Sequence, residues 1–354
     1  MVHKAHELAV SAIDFNTPET AVVTLSVPDE LKSDYIYKQG QHLTFIEEIN
    51  SEEVRRSYSI CSSVRDDELK VAIRKVKDGR FSTFATENLA VGDKLKVMEP
   101  AGNFYVDLDA STSRTYVAFA SGSGITPIIS IIKTTLETEP NARFFLFYGN
   151  RTGRSTIFRD EISFLKNKYV DRFSFWHFLS QEDLEIDFFR GRMDGEKVKG
   201  INEKLLNIKL VDHAFICGPE AMIDGVSQGL LDVGMAENKI HFEKFMSEGQ
   251  TAALPDSTGV ASGLAKLTLI IDDEEVTLNS DHKMSILDAA VEGGLDAPFA
   301  CKGGVCCTCR AKVLKGEVEM VLNQGLEPEE VEAGYVLTCQ SFAISEEVTL
   351  SYDD

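Results

Sequence analysis

The chain has 354 residues, 43% of them hydrophobic and 26% charged, with a formal net charge of −21. That length holds two or three domains, each able to bury its own core, and the composition excludes a disordered, collagen-like or low-complexity chain. The acidic balance argues against nucleic-acid binding, no apolar run reaches the ~20 residues of a membrane helix, and the start, MVHKAHELAV, lacks a secretory pattern, so a cytoplasmic protein is expected.

Residues 1–108 read as a small antiparallel barrel. TAVVTLSV, HLTFIEEI, RRSYSICSS, ELKVAIRKV and DKLKVMEP are short, alternating or β-branched runs between Gly, Asp, Pro and Ser turns. A helical piece from Ser82 to Asn88 interrupts them. Arg56-Ser57-Tyr58-Ser59 suits a flavin nucleotide. Arg56 can fork onto a phosphate, Tyr58 lies on the same strand face and can pack a flat ring, and Ser59 can hydrogen-bond a ring nitrogen. Alone the motif equally describes a half-exposed strand. Gly79-Arg80-Phe81-Ser82-Thr83 strengthens it, because a Gly turn feeding a helix start offers unpaired N–H groups to a pyrophosphate.

In residues 109–245, strands alternate with helices, which predicts βαβ units on a parallel sheet. TYVAFAS, ARFFLFYGN, RFSFWHFL and HAFICG are the strand runs; IISIIKTTLE, IFRDEISFLKNK and PEAMIDGVSQGLLDVG are the helical ones. Gly122-Ser123-Gly124-Ile125-Thr126-Pro127 joins the first strand to the first helix. It is not the G-x-G-x-x-G fingerprint, but its glycines allow close backbone approach and Pro127 suits a first helical turn. Cys217-Gly218-Pro219 ends a later strand, at the sheet edge where open α/β folds bind ligands. Arg151, with Arg154, Ser155 and Thr156, can meet a 2′-phosphate, which favours NADPH over NADH.

Residues 246–264 are small, polar and aperiodic, as in an interdomain linker. In residues 265–354, KLTLIIDDEEVTLNSD reads as a hairpin, SILDAAVEGG as a short helix, and YVLTCQ and EVTLSY as closing strands. From Lys266 onward there are 6 Lys and Arg against 18 Asp and Glu, a net −12 of the total −21. Such an acidic block fits either a solubilising surface or electrostatic steering.

Of seven cysteines, Cys61 and Cys217 stand apart. Cys301, Cys306 and Cys309 follow the C-x4-C-x2-C spacing, with Cys339 downstream, which is the plant-type [2Fe–2S] pattern. Structural zinc sites more often pair C-x2-C with a second such pair or with histidines. Cys307 as a ligand would break the spacing, so a free thiol is expected there. No H-x3-H or H-E-x2-H pair, G-x-S-x-G elbow or Walker loop is present. Asp272-Asp273 and Glu329-Glu330 read as solvated turns.

RSYS, GRFST, GSGITP, YGNR, CGPEAM and CKGGVCCTC with LTCQ occur in the order of the ferredoxin–NADP reductase superfamily fused to a C-terminal plant-type ferredoxin, which the chain resembles across nearly its whole length. Within that superfamily it looks most similar to reductase subunits of phenylacetyl-CoA epoxidases. The resemblance implies a multidomain α/β and β protein: a flavin-binding β-barrel, a parallel-sheet α/β dinucleotide domain and a β-grasp ferredoxin domain. It places Arg56, Tyr58 and Ser59 at the flavin, and Ser82 and Thr83 at its pyrophosphate. Gly122, Gly124 and Thr126 fall at the nicotinamide dinucleotide, Cys217 near the nicotinamide, and Glu243 and Phe245 near the flavin ring. Ser59, Cys217 and Glu243 are the expected catalytic set. Ser57, Gly79, Phe81, Ser123, Pro127, Arg151, Ser155, Gly218 and Pro219 complete the expected cofactor contacts. The GRFST segment favours FAD over FMN. Electrons are expected to run from NADPH through FAD and the cluster to a multicomponent oxygenase acting on an aromatic acyl-CoA. A fatty-acyl desaturase, a Rieske ring hydroxylase or a hybrid-cluster protein as acceptor, or a redox-sensing role, are the alternatives.

Overall fold

The computed structural model describes residues 4–245 and 264–353, so the expected linker lies outside the described residues apart from Leu264. Six strands open the chain: β1 (Ala5–Thr17), β2 (Thr20–Ser26), β3 (His42–Ile49), β4 (Glu52–Ser59), β5 (Leu69–Arg74) and, after helix α1 (Arg80–Glu87), β6 (Lys94–Met98). They pair in the order β4-β3-β6-β1-β2-β5. Every pairing is antiparallel. An isolated bridge from Ile60 to Val71 joins the two edge strands and closes the barrel. Alternation sends Leu8, Val10, Val23, Leu43, Phe45, Val71 and Val97 inward. The long β1 is absent from the sequence expectation. Its register shifts at Val10/Ala12 and at Phe15/Thr17, and such bulges break the period of two by which a strand is recognised. Asn50 and Ser51 both have positive φ (56° and 62°), the geometry of a tight two-residue hairpin turn.

Next come β7 (Thr115–Ser121), α2 (Ile125–Thr138), β8 (Arg143–Asn150), α3 (Arg159–Lys168), β9 (Phe173–Leu179), α4 (Gly195–Lys204), β10 (His213–Gly218), α5 (Glu220–Asp232) and β11 (Ile240–Lys244). The sheet order is β11-β10-β7-β8-β9, parallel throughout. The order reverses between β7 and β10, so a crevice opens beyond their carboxyl ends. Helix α2 lays Ile125, Ile128, Ile129, Ile132 and Leu136 into the core. Each such side chain contributes roughly 1.5–3 kcal/mol. Helix α4 escapes sequence reading because it begins with Gly195 and buries only Val198 and Ile201. Fully buried Glu139 fastens the barrel's exit segment, accepting from the Asp109 N–H and the Tyr116 hydroxyl, both at 2.9 Å.

The third unit holds β12 (Leu264–Ile271), β13 (Glu274–Asp281), α6 (Ile286–Glu292), β14 (Arg310–Lys315), β15 (Val318–Met320), α7 (Pro328–Glu332), β16 (Tyr335–Leu337), β17 (Ser341–Ala343) and β18 (Glu347–Ser351). Its main sheet runs β13-β12-β18-β14-β16, with β12 and β18 parallel. Asp272 and Asp273 form the expected hairpin turn, and both N–H groups donate to the Asp353 carboxylate at 2.9 Å. The segment YVLTCQ is strand only to Leu337; Thr338–Gln340 tightens into a 3₁₀ turn. Among the described residues, no helix is long and apolar enough to cross a membrane.

Candidate functional site

The loop from Cys301 to Cys309 bends at Lys302, Gly304 and Cys307, all with positive φ (53°, 75° and 55°). At Gly304 the left-handed backbone, with the Leu322 carbonyl 2.8 Å from where a Cβ would stand, requires glycine. This wrapping sets the Cys301 thiol against Cys306. Cys339, on the 3₁₀ turn, meets Cys309. The four sulfurs thus form two pairs, and among the described residues no three of them lie within 4.8 Å of one another. A single tetrahedral zinc with ~2.3 Å bonds would draw all four to about 3.8 Å. Two pairs suit a two-iron cluster with two thiolates on each iron. The Gly303 N–H donates to Cys301 Sγ at 3.3 Å. The Cys306 thiol, together with the N–H groups of Gly303, Val305 and Cys306, pulls the Cys301 thiol below its usual range. Cys307 stands outside both pairs, half-buried, with its thiol pushed up by burial.

Strand β4 carries the flavin motif. Tyr58 packs against buried Phe45 and Phe81, with ring centroids at 5.9 and 5.5 Å. Phe81, expected at the cofactor, is placed in the barrel core and props Tyr58 from behind. Arg56 donates to the Arg55 carbonyl at 2.7 Å, and Ser57 shares a 2.9 Å hydrogen bond with Thr44. Helix α1 begins at Arg80 with Gly79 as its cap, and no side chain bonds its first N–H groups. Ser82 is buried; its hydroxyl accepts from the Val76 N–H at 3.3 Å and shapes the turn instead of facing outward. Thr83 is half-buried on the same turn.

Helix starts at the parallel sheet are built alike. Neither α2, capped by Gly124, nor α5, capped by Pro219, has a side-chain cap. Asp194 and Ser285, in contrast, cap α4 and α6. The Gly122–Gly124 turn runs straight into α2, with the Ile125 N–H bonded to the Gly122 and Ser123 carbonyls; both helices point their positive ends at the crevice, a setting that suits an anion. A Cβ on Gly124 would overlap the Cys217 carbonyl, so glycine lets α2 close on β10. Gly122 adopts φ +55° and its carbonyl accepts from Tyr148 Oη at 2.9 Å. Thr126 is buried and donates to the Ser123 carbonyl at 3.0 Å, while Pro127 sits in the first turn. Gly218 abuts Met222 and Ser121. Arg151 and Arg154 are exposed, and among the described residues neither forms an ion pair; Ser155 closes a local turn with Thr152 at 2.9 Å. Tyr148, and Asn150 with its buried, unpartnered Nδ2, also belong to this edge. The motif YGNR drew attention to this run, but only Arg151 of it was named as a contact residue.

Barrel and sheet meet at the expected catalytic set. The Ser59 hydroxyl donates to Glu243 Oε2 at 3.2 Å. Glu243 lies in register with Cys217 on the neighbouring strand. Burial pushes the Glu243 carboxyl up to about 8, the Ser59 hydrogen bond opposing. Burial, reinforced by Glu243, raises the Cys217 thiol. Lys244 pins the end of β11 to α5 through Glu220 (3.0 Å) and Asp224 (3.8 Å), and Phe245 is left exposed just beyond. A carboxyl that keeps its proton at neutral pH beside a hydroxyl can donate a hydrogen bond or pass a proton.

The thiol loop comes to the barrel from the opposite side. Between them lies a cavity of ~200 Å³ lined by Gln41 and Gly102 on one wall and by Cys307, Arg310 and Tyr352 on the other.

Residues 7–105 match the family described as oxidoreductase FAD-binding domain, 119–228 the oxidoreductase NAD-binding domain, and 269–343 the 2Fe-2S iron-sulfur cluster binding domain. The chain is 44% identical over 350 residues to a subunit of the 1,2-phenylacetyl-CoA epoxidase of Escherichia coli strain K12, across 98% of both chains. It is 33% identical over 352 residues to the ferredoxin reductase component of 3-ketosteroid-9-alpha-monooxygenase of Rhodococcus rhodochrous, across 98% of this chain and 96% of that one. Among solved structures, phthalate dioxygenase reductase matches with a TM-score of 0.59 at 21% identity over 98% of each chain. An intact type IV self-sufficient cytochrome P450 monooxygenase matches at 0.72 and 24%, over 98% of this chain and 41% of that one. Both structures speak for the shared fold. The matched families assign FAD to the barrel, a pyridine nucleotide to the parallel sheet and a [2Fe–2S] cluster to the thiol loop.

Proposed function

We propose that this chain, which belongs to the FAD- and [2Fe–2S]-containing reductase components of multicomponent oxygenases, is the NADPH-dependent reductase of a phenylacetyl-CoA epoxidase. When bound, FAD would supply the conversion of a hydride into single electrons, and the cluster would supply one-electron transfer. The protein's own part is positional. The residues at the α2 and α5 starts hold the dinucleotide phosphates, and Arg56 with the α1 start holds those of FAD. Tyr58 backs the flavin ring. Ser59 and Glu243 keep a hydrogen-bond donor and a proton at the reacting edge, with the Cys217 side chain sealing it from water. Cys301, Cys306, Cys309 and Cys339 hold the cluster. The observation that carries this reading is the Ser59–Glu243 contact, which joins the flavin strand to the strand beside Cys217. Full-length similarity to the Escherichia coli protein supports the acceptor.

Arg151 and Arg154 support NADPH: they are exposed cations beside the end of β8. Glu182, the carboxylate next to them, is occupied by the Gly153 N–H at 2.9 Å. Arg151→Ala should raise KM for NADPH and leave KM for NADH unchanged. The proposed limits 1–108 and 109–245 are supported by a division between β6, which ends at Met98, and β7, which starts at Thr115; the third, 265–354, begins one residue inside β12. Dependence on NADPH and on reduced thiols supports a cytoplasmic location. The reading is tested by mixing the reductase with the oxygenase components of the epoxidase, phenylacetyl-CoA, NADPH and oxygen. Epoxide formed in step with NADPH consumption is expected; NADPH consumption without epoxide would contradict the assigned acceptor.

A further inference from the structure

We propose that Arg55 is a positioning residue for the flavin-to-cluster electron step, latching the approach to the thiol loop onto the flavin strand. Its guanidinium carbon lies 4.1 Å from the centroid of the Phe299 ring. Its Nη1 donates to the Phe299 carbonyl at 3.3 Å. Its Nη2 reaches Asp296 at 3.8 Å, and its Nε is oriented by Glu53 at 2.7 Å. Only 10% of the side chain is exposed. An arginine this enclosed, stacked on a ring, hydrogen-bonded to its carbonyl and held at Nε by Glu53, is kept in a single pose.

The placement gives the latch its purpose. Phe299 stands two residues before the ligand Cys301, and Arg55 is the neighbour of Arg56 on β4. By strand alternation Arg55 and Ser59 share one face. Ser59 meets Glu243 of the nucleotide sheet, and Arg55, about 13 Å along the strand at ~3.3 Å per residue, meets the ferredoxin unit. One strand thus touches the hydride-handling pair at one end and the path to the cluster at the other. In the step concerned, one electron leaves reduced flavin and arrives on the oxidised cluster; no covalent bond forms or breaks. Arg55 contributes by holding the two groups close.

The inference rests on the reductase reading, and one experiment separates the two. Wild-type, Arg55→Ala, Arg55→Lys and Phe299→Leu holoproteins are mixed anaerobically with NADPH, and flavin and cluster bleaching are followed in the same trace. Small-angle scattering of the oxidised proteins reports whether the ferredoxin unit stays docked. Flavin bleaching should be unchanged, while cluster bleaching lags about tenfold in Arg55→Ala and Phe299→Leu, and less in Arg55→Lys. The double variant should be no slower than either single one. The alanine protein should also scatter as a more extended particle, at equal iron and flavin content. Cluster bleaching at the wild-type rate in Arg55→Ala would overturn the latch, as would an equal slowing of both phases. A wild-type cluster that never bleaches would sink the reductase reading itself.

Discussion

Replacing Glu243 with Gln should remove a pH dependence that the junction of barrel and sheet imposes on stability. The carboxyl is displaced from its usual 4.5 to about 8 by burial. At about 1.4 kcal/mol per unit, that displacement is worth at most about 5 kcal/mol. Solvent around a partly exposed residue lowers the figure to about 2–4 kcal/mol. Because the folded-state pKa is raised, this stability is complete below about pH 4.5 and is lost as pH rises through about 8. Gln has nearly the same shape, keeps a partner for Ser59 and does not titrate. Urea unfolding followed by the release of flavin fluorescence, at about pH 5 and about pH 9, reads the difference. Wild type and Glu243→Gln should agree at the lower pH, with the variant more stable by about 2–4 kcal/mol at the higher. Equal pH slopes for the two proteins would refute a buried, protonated Glu243.

Cys339→Ser should abolish the visible cluster absorbance and about half of the bound iron or more, whereas Cys307→Ser should keep both, as iron analysis and spectra will show. His241 is lowered to about 4 by burial and by neighbouring His213, whose Nδ1 is 3.1 Å from its Nε2. Since its folded-state pKa is depressed, stability is full above about pH 6.5 and falls toward pH 4; thermal melts across that range should lose most of their slope in His241→Gln. The acidic stretch from Lys266, with its net −12, should make electron delivery to the oxygenase fall steeply with added salt, and stopped-flow rates that stay flat would exclude electrostatic steering.

Local chemistry made much of this protein legible. The spacing of four cysteines pointed to a [2Fe–2S] domain, which the matched family bears out. The motif GRFST was read as a glycine turn feeding a helix start, and Gly79 does cap α1; GSGITP and CGP were read as strand-to-helix joints, and they lead into α2 and α5. Contacts between distant residues were less legible. Arg55 and Phe299 lie 244 positions apart, and each alone reads as an ordinary surface cation and an ordinary loop aromatic. The β1 strand was hidden by its bulges. In the GRFST segment the Phe81 ring packs into the barrel core and the Ser82 hydroxyl accepts from the Val76 N–H, an inward placement that the pattern alone does not announce.

The central claim is a continuous path from nicotinamide through flavin to the cluster. Anaerobic titration of the full-length protein with NADPH, followed by visible absorbance and low-temperature EPR, tests it most directly. Bleaching of both flavin and cluster bands, with the rhombic signal of a one-electron-reduced [2Fe–2S] centre, is the predicted result. Complete flavin bleaching with no cluster signal, in protein carrying its full iron, would contradict it.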